Sequence, residues 1–308
     1  MKTPTSLKQN LIEGLFGVAL NSKFSYQLGR KTATYLNARK LIVGGDNHRS
    51  SPLIQGALSD GICSTGCDVI DIGAVGTEEL RFAIAKANAQ GGLMVTSANK
   101  NTDINGIALY DKSGQQFTQY NALLEVVNND HDSDISQSKV SGSIRHISYS
   151  PRYIQYLLNL VDLSICKPLR VIVNPNHGTA GYLINELEVC LVRSRVPVEI
   201  IKLNNQPDSD FPFGIPDLND LSQQRKIQTA ITSYHADMGV AWNVDFSQCS
   251  VFDEKARLVP LSCLDSIMLQ HKELTNLMSE QSAMLPWLIL MEKISRNQCS
   301  LSSLQTAY

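Results

Sequence analysis

Few of the Asp, Glu, His, Cys and Ser side chains in this 308-residue chain stand at spacings that would focus their chemistry. The stretch Asn174-Pro175-Asn176-His177-Gly178-Thr179-Ala180-Gly181 joins an apolar, strand-like run to a helical pattern. Backbone N–H groups in such a loop can meet an anion, and the same residues also read as a plain turn. Cys63 and Cys67 lie four apart around one helical segment. Two thiolates so placed could hold zinc; two buried thiols that only pack is the favoured reading. Asp46 follows an apolar run and is placed to cap the helix after it. Ser97 reads as a loop serine, and Asp245 as a loop aspartate able at most to hold a weak, water-rich cation.

The elements that would position these residues alternate. Leu41–Gly44 reads as a buried strand, Pro52–Cys63 as a helix, Asp68–Asp71 as a strand, Thr77–Ala89 as a helix and Leu93–Thr96 as a third strand. Thr77 is a plausible N-cap, with Glu78 and Glu79 where the helix dipole favours negative charge. A second series follows: helix Tyr153–Val161, strand Leu169–Val173, helix Thr179–Val192, strand Val198–Leu203, helix Leu218–Tyr234 and strand Met238–Trp242. This alternation implies parallel strands with right-handed crossovers. Asn128–Ser143, polar and then rich in Ser and Gly, reads as a linker. After Leu258 two helices are expected, Leu261–Gln281 and Ala283–Ile294.

Composition bounds the rest. Hydrophobic residues make up 43% and charged residues 18%, a globular balance. A net charge of −2 gives no footprint for nucleic acid, and no basic run marks a membrane surface. The apolar stretch Leu11–Leu20 is interrupted by Glu13, which argues against a signal peptide. Seven scattered cysteines fit a reducing, cytoplasmic location rather than a disulfide framework.

Five segments taken together, Leu41–Ser51, Asp68–Phe82, Gly91–Leu109, Pro197–Pro216 and Ala236–Lys255, resemble in order and spacing the phosphohexomutase superfamily, and most closely its bacterial phosphomannomutases of hexose-phosphate and GDP-mannose pathways. The resemblance implies tandem α/β/α domains with mixed, mostly parallel sheets. Domain I would cover 1–140, domain II 141–258, and 259–308 a mostly helical remnant of domain III, with a fourth domain absent. It also implies phosphoryl transfer between a phosphoserine and a hexose-phosphate hydroxyl, assisted by magnesium.

Residue by residue, the parts of that reaction are altered. The family's serine loop, T-A-S-H-N-P, aligns with Thr96-Ser97-Ala98-Asn99-Lys100-Asn101, so alanine stands at the phosphoserine and asparagine at the histidine. A methyl group forms no phosphoester. Ser97, one residue away, would be displaced by about 3.3–3.8 Å and turned, and in-line transfer does not tolerate about 1 Å. The metal loop, D-G-D-F-D-R, aligns with Asn243-Val244-Asp245-Phe246-Ser247-Gln248 and keeps one carboxylate of three. On the substrate side Leu11 and Glu13 replace an aspartate and an arginine, Asp46 is kept, and His48 stands for an arginine with Arg49 beside it. The expectation is a pseudoenzyme without a cofactor, holding a hexose phosphate at most, with Mg2+ only if activity remains. The alternative is an active phosphomannomutase with a non-standard site. An exposed apolar C-terminal helix (Met284, Leu285, Trp287, Leu288, Leu290) would favour a protein partner or self-association.

Overall fold

The computed structural model describes residues 6–8, 11–97, 103–117, 140–271 and 282–306. The chain forms two compact units, Met1–Tyr149 and Ser150–Tyr308.

The first unit is built on strands β1 (Ser6–Lys8), β2 (Leu11–Leu15), β3 (Lys40–Gly45), β4 (Asp68–Ala74), β5 (Gly91–Val95), β6 (Ile104–Asp111) and β7 (Ile144–His146). They form one sheet in the order β1-β2-β6-β5-β3-β4-β7. The pairings β5–β3, β3–β4 and β4–β7 are parallel, as the strand–helix alternation implies, whereas β6 runs antiparallel to both β5 and β2. Because side chains alternate along a strand, Leu41, Val43, Val69, Leu93 and Val95 share one face, and it packs on helices α1 (Ser22–Tyr35) and α2 (Ser51–Cys63). Helix α3 (Thr77–Ala87) packs on β3 and β5, with Ile84 against Gly92. Helix α2 keeps Pro52 in its first turn, where a missing N–H costs nothing. The α3 cap is Gly76 rather than Thr77, and the Glu79 carboxylate accepts from the Gly76 N–H at 3.4 Å. The helix ends on Asn88 in the left-handed region, φ 50°.

Helices α1 and α2 meet backbone to backbone. A Cβ on Gly61 would stand 2.0 Å from the Tyr26 carbonyl oxygen, and one on Gly29 2.3 Å from that of Leu58. Within the expected linker, 128–139 lie outside the described residues. Its described end is docked on the first unit: Gly142 N–H donates to the Cys63 carbonyl at 2.9 Å, and Ser143 Oγ to Asp68 Oδ1 at 2.7 Å.

The second unit holds β8 (Leu169–Asn174), β9 (Val198–Lys202), β10 (Met238–Trp242) and β11 (Cys249–Asp253) in the order β11-β10-β8-β9, parallel except for the β10–β11 hairpin. Its helices are α4 (Ser150–Leu158), α5 (Ala180–Arg193), α6 (Leu221–Tyr234), α7 (Leu261–Leu269), α8 (Leu285–Arg296) and α9 (Leu301–Gln305). Ile227, Ala230 and Ile231 of α6 pack on Ile172, Ala241 and Phe252. Of the expected helix to Gln281, 272–281 lie outside the described residues. Helix α8 starts later than expected because Pro286 belongs to its first turn.

The expected exposed apolar helix is not found. Met284, Leu285, Trp287, Leu288 and Leu290 are fully buried. The first turns of this helix are apolar on all sides and must be covered on all sides; Trp242, the turn at Leu163–Ile165, α7 and α9 contact the helix. Trp287 meets Trp242 edge-on, ring centroids 6.3 Å apart, and Trp242 Nε1–H donates to the Ala283 carbonyl at 2.9 Å. Asp162 N–H donates to Glu292 Oε2 at 3.0 Å, and Lys167 N–H to Ser295 Oγ at 3.2 Å. Helix α9 is tied to the hairpin by Ser302, whose N–H donates to Glu254 Oε2 at 3.0 Å and whose hydroxyl donates to Oε1. Among the described residues no helix is long and apolar enough to cross a membrane.

Two outcomes follow from this packing. Trp287→Ala should cost about 3–5 kcal/mol, read as a lower denaturant midpoint for the second unit. Burial acts to raise the Glu254 carboxyl, but the hydrogen bonds from Ser302, from its own backbone and from Ser300 together outweigh it and hold the group below its ordinary value. A carboxyl so depressed stabilises the fold above the ordinary glutamate range and loses that contribution as pH falls through the depressed value. Glu254→Gln should therefore be less stable than the wild-type chain at pH 7, and the gap should close below about pH 4, measured by denaturant titration at both pH values.

Candidate functional site

In the first unit, parallel β3 and β5 end at the same side of the sheet, and antiparallel β6 begins there. That topology gathers Asp46 with Ser97 and Asn105, which lie some fifty or more positions further along the chain, into one buried polar cluster. Asp46 N–H donates to the Val95 carbonyl at 2.9 Å, which aligns the two strand ends. The Asp46 carboxylate then accepts three hydrogen bonds. His48 N–H (3.0 Å) and Ser51 Oγ (2.6 Å) reach Oδ1, and Ser97 N–H reaches Oδ2 at 2.9 Å. Burial pushes its pKa up, against the pull of these bonds. Asp46 thus does not cap the first turn of α2 through its N–H groups; it pins Ser97 to the loop that opens the helix.

Asn105 is the hub of the cluster. Its Nδ2 donates to Ser50 Oγ at 2.8 Å and to Ser51 Oγ at 3.1 Å, and its Oδ1 accepts from Gly106 N–H at 2.7 Å. His48 is buried with Nδ1 2.9 Å from Ser50 Oγ, whereas Arg49 is exposed. Thr96 and Ser97 are buried at the end of β5; Ala98, Asn99 and Lys100 lie outside the described residues. Sequence reasoning found Asp46, His48 and Ser97 but missed Ser50, Ser51 and the hub role of Asn105. The available signal was the run of hydroxyls after Asp46, and an asparagine opening an apolar stretch.

In the second unit, residues 243–248 connect β10 to β11. Asn243 and Asp245 are buried, and with Ser247 their side chains do converge. Asn243 Nδ2 donates to Ser247 Oγ at 3.1 Å, and Ser247 Oγ donates to Asp245 Oδ1 at 2.8 Å. Asn243 Oδ1 accepts from Gln248 N–H at 3.0 Å, and Asp245 Oδ1 also accepts from Ser247 N–H at 3.2 Å. This donor set does not fit magnesium. It offers one carboxylate, and an amide N–H and a hydroxyl proton stand where further anionic oxygens would be required. Among the described residues, no group of three or more His, Cys, Asp or Glu side chains is placed to hold a metal.

The glycine loop before α5 also resolves. Asn176 N–H donates to Asn174 Oδ1 (3.1 Å), His177 N–H to the Asn204 carbonyl (2.8 Å), Gly178 N–H to that of Pro175 (2.8 Å) and Thr179 N–H to that of Val244 (3.2 Å). Asn176 and His177 adopt φ of 51° and 62° to do so. With these amides spent inside the protein, the loop acts as a turn. Cys63 and Cys67 are buried thiols, and burial with nearby Cys63 and Asp68 pushes Cys67 up to about 12. Such a thiol stays protonated at neutral pH and packs as a small apolar group.

Comparison with known proteins agrees with both units. Residues 6–131 match the phosphoglucomutase/phosphomannomutase α/β/α domain I, and residues 151–256 match domain II. A phosphomannomutase of Vibrio cholerae serotype O1 is 32% identical over 266 residues, 84% of this chain and 57% of that protein. One from Escherichia coli is 34% identical over 260 residues, 83% of this chain and 57% of that protein. This chain thus spans a little over half the length of these relatives. In fold it is similar to a putative phosphomannomutase of Thermus thermophilus (TM-score 0.83, 15% identity, 100% of this chain and 84% of that one). It is also similar to a phosphoglucomutase/phosphomannomutase family protein of Burkholderia thailandensis (TM-score 0.73, 22% identity, 84% and 56%). Two consecutive domain matches that together cover most of the chain have one reading: the chain belongs to the phosphoglucomutase/phosphomannomutase family.

Proposed function

We propose that this chain is a non-catalytic phosphomannomutase-like protein, one that does not carry a phosphoryl group between the hydroxyls of a hexose phosphate. The observation that carries the reading is the 243–248 loop, closed on itself by hydrogen bonds from Asn243 and Ser247. Phosphoryl transfer needs a cation to neutralise charge on the transferred group, and this loop satisfies its one carboxylate with a hydroxyl proton instead. Ala98 adds a second obstacle from the sequence, since its side chain offers no oxygen. Asp46 adds a third. By holding the Ser97 N–H it fixes the only serine of 96–101 one position away from the aligned nucleophile. Retained binding would be of a hexose phosphate without turnover.

A coupled assay for mannose 6-phosphate to mannose 1-phosphate, with magnesium and glucose 1,6-bisphosphate, should show no turnover. Turnover that disappears in Ser97→Ala would establish an active enzyme with a displaced serine and overturn the proposal. The loop itself can be tested separately. Asn243→Asp combined with Ser247→Asp should create a Mn2+ site detectable by calorimetry or paramagnetic relaxation, where the wild-type loop gives no signal. A Mn2+ site at 243–247 in the wild-type chain would contradict the hydrogen-bonded closure.

A further inference from the structure

Among the described residues, the polar cluster of the first unit leaves two buried atoms without a partner. His48 Nε2 and Ser97 Oγ make no hydrogen bond there, although His48 is 2% exposed and Ser97 1%. The directions of the neighbouring bonds fix what kind of atom the first one is. Gly106 N–H donates to Asn105 Oδ1, so the nitrogen end of that amide faces the serines and donates to Ser50 Oγ and Ser51 Oγ. Each hydroxyl, accepting from Asn105, has its own proton left to give. Ser51 gives it to Asp46 Oδ1, and Ser50 gives it to His48 Nδ1 at 2.9 Å. The Ser50 backbone N–H points at the same Nδ1 from 3.3 Å. Nδ1 is an acceptor, so the ring proton sits on Nε2.

A buried N–H with no acceptor carries a desolvation cost that a bound oxygen atom removes. The composition of the cluster selects which oxygen. Among the described residues, the cluster of Asp46, His48, Ser50, Ser51, Ser97 and Asn105 includes one carboxylate and no lysine or arginine, and Arg49 is exposed. A phosphate is normally held by charge-assisted bonds from such cations, and a second anion beside Asp46 would be repelled. An uncharged oxygen meets neither objection.

We propose that His48 Nε2–H and the Ser97 hydroxyl form a buried donor site for a neutral oxygen acceptor, a water molecule or a sugar hydroxyl, and not for a phosphate group. The sugar source rests on the reading of the chain as a hexose-phosphate binder; the water source does not. Internal waters are commonly held by two to four such polar groups.

The test uses the full chain labelled with 15N-histidine, with the His48 signals identified by their loss in His48→Gln. Long-range proton–nitrogen spectra should place the ring proton on Nε2. Cross-relaxation from that proton to water, lost in Ser97→Ala, would identify water as the occupant. A shift of the Nε2–H signal on adding mannose would identify a sugar hydroxyl. A ring proton on Nδ1 would overturn the proposal. So would a shift caused by inorganic phosphate alone, or an Nε2–H that neither exchanges magnetisation with water nor responds to mannose. The readout is independent of turnover, so loss of this site and failure of the non-catalytic reading are separately visible.

Discussion

Burying a polar atom without a partner is costly, and that constraint shapes both candidate loops of this protein. In the first unit, one carboxylate taken out of water gathers donors from three parts of the chain: the start of α2, the end of β5 and, through Asn105 and Ser51, the start of β6. In the second, the carboxylate of Asp245 is met by Ser247, which is met in turn by Asn243. A metal-binding loop would satisfy such a carboxylate with a cation. Here neutral side chains take over the same duty. On the non-catalytic reading, the scaffold of the family can therefore persist after its metal chemistry is gone, because what the fold needs is a partner for the oxygen, not a charge.

Much of the sheet architecture was legible. Strands β3, β4, β5 and β8 are short runs carrying Val, Ile or Leu, β10 is the apolar run Met238–Trp242, and the expected bounds of each agree with the structure to within a few residues. Other elements were not legible, for identifiable reasons. Helix α1 buries Ser25, Gly29, Thr32 and Ala33 beside Phe24 and Leu28, so its inner face is small rather than greasy and gives little periodicity. Strand β7 has three exposed residues and is recognisable only by its pairing with β4. Helix α8 is legible as a helix, but its burial is not, because the elements that contact it, including the turn at Leu163–Ile165, are distant in sequence.

The site divided in the same way. Which residues differ from the family pattern could be read directly at positions 98, 243 and 247. What those replacements do could not. The roles of Asn243 and Ser247 as mutual hydrogen-bond partners, and of Asn105 as the amide orienting Ser50 and Ser51, depend on which strand ends meet. A side chain that is ambiguous in a string of letters acquires a direction only when its neighbours commit their own protons.

The contact between α1 and α2 carries a consequence of another kind. Where Gly61 touches Tyr26 and Gly29 touches Leu58, two main chains lie against each other with no side chain between them. Any residue bearing a Cβ at that crossing would collide with a peptide carbonyl. Shortening the polypeptide from its beginning past Tyr35 would strip the cover from the inner sheet and leave α2 without its closest neighbour. The least conspicuous helix in the chain is thus the one that sets how far the protein can be trimmed.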